Sequence, residues 1–166
     1  MPLDLDEPPS SVRYISFFVV GTPSPGGSKR FVGFGKRTGR AILIDAAGER
    51  NRNWKAAVAA EAHNAKVAQK WITCPPGVAL SCEMVFLMPR PKGHYRTGKN
   101  AALLREGAPT SPTTKPDTLK LARSTEDACT GIVWADDAQT VHLTLIKRYA
   151  MAHESPGCEI LCHALP

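Results

Sequence analysis

From residue 50 to residue 70 the chain runs without glycine or proline, and alanine is its commonest residue there. Such a stretch favours helix and stops at Trp71, just before the breaker Cys74-Pro75-Pro76-Gly77, so it is expected as one long helix. Trp54, Ala57, Val58, Glu61 and Ala62 follow helical spacing, which places Trp54 in the core rather than on a surface that stacks bases. A helix of this kind needs an apolar surface to lie on. Residues 78–88 supply one: Leu80, Cys82, Met84, Phe86 and Met88 alternate with Ser81, Glu83 and Val85, as in a strand half-buried against the helix.

The other elements follow the same logic. Residues 12–20 are apolar, β-branched or aromatic and read as a central strand, broken by the Gly/Pro-rich run 21–27. Residues 30–34 and 40–44 read as a hairpin turning at 35–39. Residues 118–130 read as a second helix with Gly131 as its stop. Residues 138–150 and 159–163 read as strands. Residues 1–11, acidic and proline-rich, are expected as a disordered leader to a single domain over 12–166. The order β-β-β-α-β-α-β-β implies an α+β fold, a mixed sheet of about five strands packed with two main helices.

A chain of 166 residues with 43% hydrophobic and 22% charged residues can bury a real core as one domain. Lys and Arg outnumber Asp and Glu 21 to 15, and a net charge of +6 favours polyanionic partners. No apolar run approaches the ~20 residues of a membrane helix. The five cysteines form an odd set behind a start unlike a secretory signal, so free thiols in a reducing cytoplasm are expected. Cys158 and Cys162 have His153 and His163 near them. As strand residues four apart they are roughly 13 Å from each other, too far for one Zn²⁺. They read as core.

The chemistry concentrates in Lys115-Pro116-Asp117 and in Asp136-Asp137-Ala138-Gln139. Carboxylates in a basic chain suit Mg²⁺ or Mn²⁺ held against a phosphodiester. A helix from 118 to 129 carries the chain roughly 18 Å from Asp117. An extended stretch 130–137 spans up to ~28 Å, enough to return beside the helix start. Asp117, Asp136 and Asp137 are therefore expected as metal ligands and catalytic residues, with Lys120 and Arg123 on the same polar side to bind phosphate. Glu126 and Asp127 lie about 14–15 Å along the helix from Asp117 and cannot share its metal. Asp127 is expected to pair with Arg123, four residues back. The plainer alternatives remain: Asp117 as a helix N-cap and Asp136-Asp137 as a turn.

Basic residues frame this site. Lys29, Arg30, Lys36, Arg37 and Arg40 on the hairpin are candidates for the DNA backbone. So are Arg90, Lys92, Arg96, Lys99 and Lys115 along the long irregular segment 89–115, where Tyr95 either stacks on a nucleotide or packs the loop down.

Several of these motifs together resemble the RusA family of Holliday junction resolvases. They are Lys115-Pro116-Asp117, the helix with Glu126-Asp127-Ala128, Gly131, Trp134-Ala135-Asp136-Asp137-Ala138-Gln139 and Lys147-Arg148-Tyr149. The opening 20–30 and Met88-Pro89-Arg90-Pro91-Lys92 resemble that family as well. The resemblance, over roughly 14–163, implies a small α+β homodimer, bacterial or phage-encoded, acting in the host cytoplasm. It would bind four-way DNA junctions and nick them in symmetric pairs with Mg²⁺ or Mn²⁺. Family catalytic aspartates fall on Asp117 and Asp137, and its catalytic lysine position on Arg123. Where the family commonly has a second aspartate the chain has Leu119, and Lys120 replaces an asparagine. A weakly active or purely binding protein of the same fold is the alternative, and a basic RNA-binding or assembly protein is a third.

Overall fold

The computed structural model describes residues 13–27, 29–45 and 48–166; the expected leader 1–11 lies outside them. The elements are β1 (Tyr14–Val20), β2 (Lys29–Phe34), β3 (Ala41–Asp45), α1 (Gly48–Ala68), β4 (Leu80–Met88), α2 (Thr118–Cys129), β5 (Thr140–Tyr149) and β6 (Gly157–Ala164). The expected α+β class is observed. Four strands make a mixed sheet in the order β1-β6-β4-β5, and β2 and β3 form a separate antiparallel ribbon. Among the described strands only the β4–β5 pair is parallel.

β1 lies at the sheet's edge, not at its centre as its apolar composition led us to expect. The alternation explains this: Ile15 and Val19 are buried while Tyr14, Phe18 and Val20 face outward and are exposed. The inward row of β4, including Cys82, Met84 and Phe86, is buried as the period of two requires, and Glu83 on the other face is exposed. Both helices lie on the inward face, where Trp54, Val58, Leu121 and Trp134 join one core. Truncating Phe86 to alanine there is expected to cost about 3–5 kcal/mol. In β5 the pairing slips by one residue between Leu80 and Ser81, which leaves Val141 unpaired and exposed.

The helix ends are closed by their own chemistry. Lys70 takes φ 53° beyond α1. Its N–H bonds Val67 and that of Trp71 bonds Lys66, the Schellman pattern with a lysine where glycine is usual. Beyond α2, Gly131 takes φ 81° as expected of its stop. The two helices are tied to each other by polar contacts. Trp54 Nε1 donates to Thr125 Oγ1 at 3.2 Å, Ser124 Oγ donates to Asn51 Oδ1, and Lys55 Nζ lies 2.6 Å from Asp127. Asp127 thus pairs with Lys55 on α1, not with Arg123 as its spacing implied, because interhelical packing brings a lysine closer than the next turn's arginine.

All five cysteines are free and buried, as expected. Cys82 and Cys162 are cross-strand partners whose sulfurs lie 2.8 Å apart. The hydrogen bond to Cys82, then burial, raises the Cys162 thiol pKa, and burial is the main cause of the rise at Cys129 and Cys158. No helix of the described residues is long and apolar enough to cross a membrane.

Candidate active site

The chain leaves β1 through Gly21-Thr22-Pro23-Ser24-Pro25-Gly26-Gly27 and lays this loop against α2. Gly26 N–H bonds the Lys120 carbonyl at 2.9 Å, and a Cβ on Gly26 would come within 3.1 Å of Ser124 Cβ. Gly27 has φ 75° and would meet Arg123 Nη1 at 3.2 Å. Glycine is needed at both positions for the loop to approach the helix so closely. Between this loop, the start of α1 and the start of α2 opens a cleft of about 740 Å³. Trp54 and Met88 give it an apolar floor, while Arg50, Lys115, Asp117 and Lys120 give it charge.

Asp117 is the N-cap residue of α2 by position, with extended backbone, but its side chain makes no capping hydrogen bond. Its carboxylate is more than half exposed and lies 3.5 Å from Lys120 Nζ. The structural alternative for this aspartate is therefore only half realised: the backbone caps and the carboxylate does not. The turn before it is held from the sheet. Lys147 Nζ, from the inward row of β5, donates to the carbonyls of Thr114 at 3.0 Å and Pro116 at 2.9 Å. The Lys115–Pro116 peptide is cis. Leu119, the second residue of α2, is 73% exposed.

The second acidic motif is built differently. Gln139 Oε1 accepts from the N–H groups of Ala135 and Asp136, both at 2.9 Å. Its Nε2 donates to the carbonyls of Pro75 and Val78 at 2.8 and 2.9 Å. Asp136 Oδ1 accepts from Ala138 N–H at 2.8 Å and completes a capping box with Gln139. Asp136 and Gln139 thus serve the turn itself. Asp137 is exposed and lies close enough to Glu126 to act on it. Burial first, then the charge of Asp137, then that of Asp127, raises the Glu126 pKa above the usual carboxylate value.

The expected return of Asp136 and Asp137 to the start of α2 does not occur. Residues 130–135 curl instead of extending: Gly131 N–H bonds the Trp134 carbonyl at 2.7 Å, and Ala135 N–H bonds Cys74 at 3.0 Å. Asp117 stands beside Lys147, near the end of β5, whereas Asp137 precedes Thr140 at its beginning. The two motifs thus sit at opposite ends of β5, and Asp137 acts on Glu126, nine residues along α2 from Asp117. Among the described residues no three His, Cys, Asp or Glu side chains are grouped to hold one metal ion. The cleft therefore brings together Asp117, Lys120 and Lys115. Arg123 sits outside the cleft lining, over Gly27, and Asp136 and Asp137 lie at the far end of the sheet.

The basic candidates divide as well. Lys29, Arg30, Lys36, Arg37 and Arg40 are exposed on and between β2 and β3. Arg90 lies over the Tyr149 ring at 4.2 Å and donates to the Pro109 carbonyl at 2.7 Å, so it braces the long loop. Arg96 and Arg105 tie the loop's two limbs through the carbonyls of Leu104 and Tyr95. Tyr95, half-buried in that bracing, packs the loop. Lys92 and Lys99 remain exposed on its short helical turns. Two contributors escaped the sequence reading. Arg50 opens the stretch without glycine or proline, and nothing in its spacing assigns it to a cleft. Lys147 carried a signal, since it interrupts the inward row Leu143, Leu145, Lys147, Tyr149, where a lysine needs polar partners.

A family model described as Endodeoxyribonuclease RusA matches residues 21–161. No curated protein is similar enough to the chain to count as a match.

Proposed function

The chain belongs to the RusA endodeoxyribonuclease family, and from that membership we propose a metal-dependent nuclease that binds four-way DNA junctions and resolves them by paired nicks as a homodimer. The observation that carries the reading is Asp117, a carboxylate left uncapped at a helix start inside a cleft rimmed by Arg50, Lys115 and Lys120.

One carboxylate is a lean donor set, but Mg²⁺ and Mn²⁺ sites on phosphodiesters commonly take one or two carboxylates and fill the rest with water and phosphate oxygens. Asp117 meets that minimum. When bound, the ion supplies neutralisation of the phosphate and a more acidic water. The chain's own groups do the positioning. Lys120, beside Asp117, gives the phosphate a cationic partner. The first N–H groups of α2, which the Asp117 side chain leaves unbonded, favour an anion in the same place. Lys147 fixes the turn that presents Asp117. Trp54 and Met88 exclude water from the floor. Asp137 stands too far away in the same chain, so within this reading it acts from the second copy of the homodimer.

The exposed Leu119 favours one competing reading, a junction-binding protein with feeble cleavage, because an apolar side chain stands where a metal-site carboxylate would serve. Cleavage of a mobile four-way junction and of a matched duplex, in Mg²⁺, Mn²⁺ and EDTA, decides between them. Symmetric metal-dependent nicking of the junction alone supports the nuclease. Tight binding without cleavage in either metal leaves the binder.

A further inference from the structure

Among the described residues the ribbon of β2 and β3 carries a cluster of exposed apolar side chains on both strands. A two-stranded ribbon alone is marginally stable in water, and among the described residues this one pairs with no strand of the four-stranded sheet. Its register pairs Phe31 with Leu43 and Phe34 with Ala41, with a bulge between Phe31 and Gly33. The bulge returns Phe34 to the face of Phe31, and the two rings meet edge-on at 5.1 Å. Phe31 is 52% exposed and Phe34 67%, whereas Trp54, Trp71, Phe86, Trp134 and Tyr149 are all buried.

The charge on this ribbon is as uneven as its apolar surface. Residues 29–45 hold five Lys or Arg against Asp45, so four of the chain's six excess positive charges fall on this arm. A second arm of the same kind would be repelled. The partner that answers both features is a polyanion with accessible flat apolar faces, which describes nucleic acid where its bases are unpaired. Duplex alone offers the phosphates but keeps its base faces stacked.

We propose that the ribbon is a base-stacking arm: Phe31 and Phe34 take unpaired bases while Lys36, Arg37 and Arg40 hold the flanking phosphates. This rests on the branched-DNA reading for its setting, since base pairs at the point of strand exchange open more readily than those inside a duplex. It also moves the stacking role considered for Tyr95 to a pair of aromatics that are open to solvent.

The test uses the full chain and 2-aminopurine, placed at the branch of a four-way junction and, separately, within a single-stranded oligonucleotide. Wild type is expected to change the fluorescence of both. Phe31→Ala/Phe34→Ala is expected to lose that change and weaken single-strand binding on the order of 10-fold or more, with duplex binding unaltered. Phe31→Trp/Phe34→Trp should restore it, which separates stacking from collapse of the arm. Lys36→Gln should lower the log–log salt slope by about one, whatever the state of the aromatics. An alanine variant with wild-type fluorescence change and single-strand affinity overturns the proposal. So does one that keeps both but falls apart in sedimentation, which makes the arm a subunit clasp. If wild type shows no junction preference while its single-strand signal still needs the two phenylalanines, the branched-DNA reading fails and the arm stands.

Discussion

The start of α2 and the turn before β5, at the far end of the sheet from it, each carry an exposed aspartate and use it in opposite ways. At the far end Asp136 is bonded into a capping box and Gln139 pins four backbone groups, so most of that motif holds a turn in place. At the start, Asp117 occupies the capping position with its carboxylate unbonded to the helix, next to a lysine and above an apolar floor. A cap that does not cap gives up roughly 1 kcal/mol of helix stability, and a site with ligand chemistry is where such a loss is tolerated. The difference teaches that an aspartate's neighbours, more than its motif, decide between structure and chemistry.

The sharpest way to break this comparison is Asp117→Asn. Junction cleavage is expected to fall at least 100-fold while binding and Tm stay near wild type; retained cleavage would show that the cleft is not the reacting centre. Next is a mixing experiment. Asp117→Asn and Asp137→Asn should each be inactive alone, and a re-associated mixture should regain part of the wild-type rate if each site draws on both copies. A mixture as dead as its components would place both aspartates' roles within one chain or remove one of them. Lys147→Met releases the turn that presents Asp117, and a loss of tens of fold in kcat with little change in junction affinity is expected from the misplacement. Equal losses in kcat and binding would mean that Lys147 serves the fold at large.

Asp136→Ala should act on stability instead, lowering it by about 1 kcal/mol in a denaturant titration. If cleavage vanished with stability unchanged, Asp136 would belong to the chemistry after all. The smallest effect concerns Glu126. Its pKa is raised in the folded protein, first by burial and then by Asp137, so the native state holds that proton more tightly than the unfolded chain. Stability should therefore fall as pH rises from below 4.5 through the raised value, and Glu126→Gln should remove that part of the fall. The variant is expected to be slightly more stable than wild type at neutral pH and no more stable in acid.

Much of this was legible in the residues. The period of two in β4, the alanine-rich α1 and the Gly131 stop are local patterns, and local physics made them. The separation of the β2–β3 ribbon was not legible, because Phe31, Val32, Phe34, Ile42, Leu43 and Ile44 are as apolar as the residues of a strand with a covered face. Nor was the path from Thr130 to Asp137. It depends on Gln139 reaching Pro75 and Val78, more than sixty residues earlier, and no spacing in the motif announces that contact. Asp117 could be singled out from the sequence, but its distance from Asp137 was a matter of tertiary path.

The buried thiols give the molecule a built-in clock. Cys82, Cys129, Cys158 and Cys162 lie between the sheet and its helices, and Cys129, Cys158 and Cys162 have thiols harder to ionise than a solvent-exposed cysteine. A thiolate reagent has nothing to react with while the layers stay closed. The rate at which these sulfurs become labelled therefore counts openings of the whole core, and does so without any reporter being attached. Fraying of the ribbon or of the long loop leaves that count unchanged, so whatever slows it must hold the central layers together.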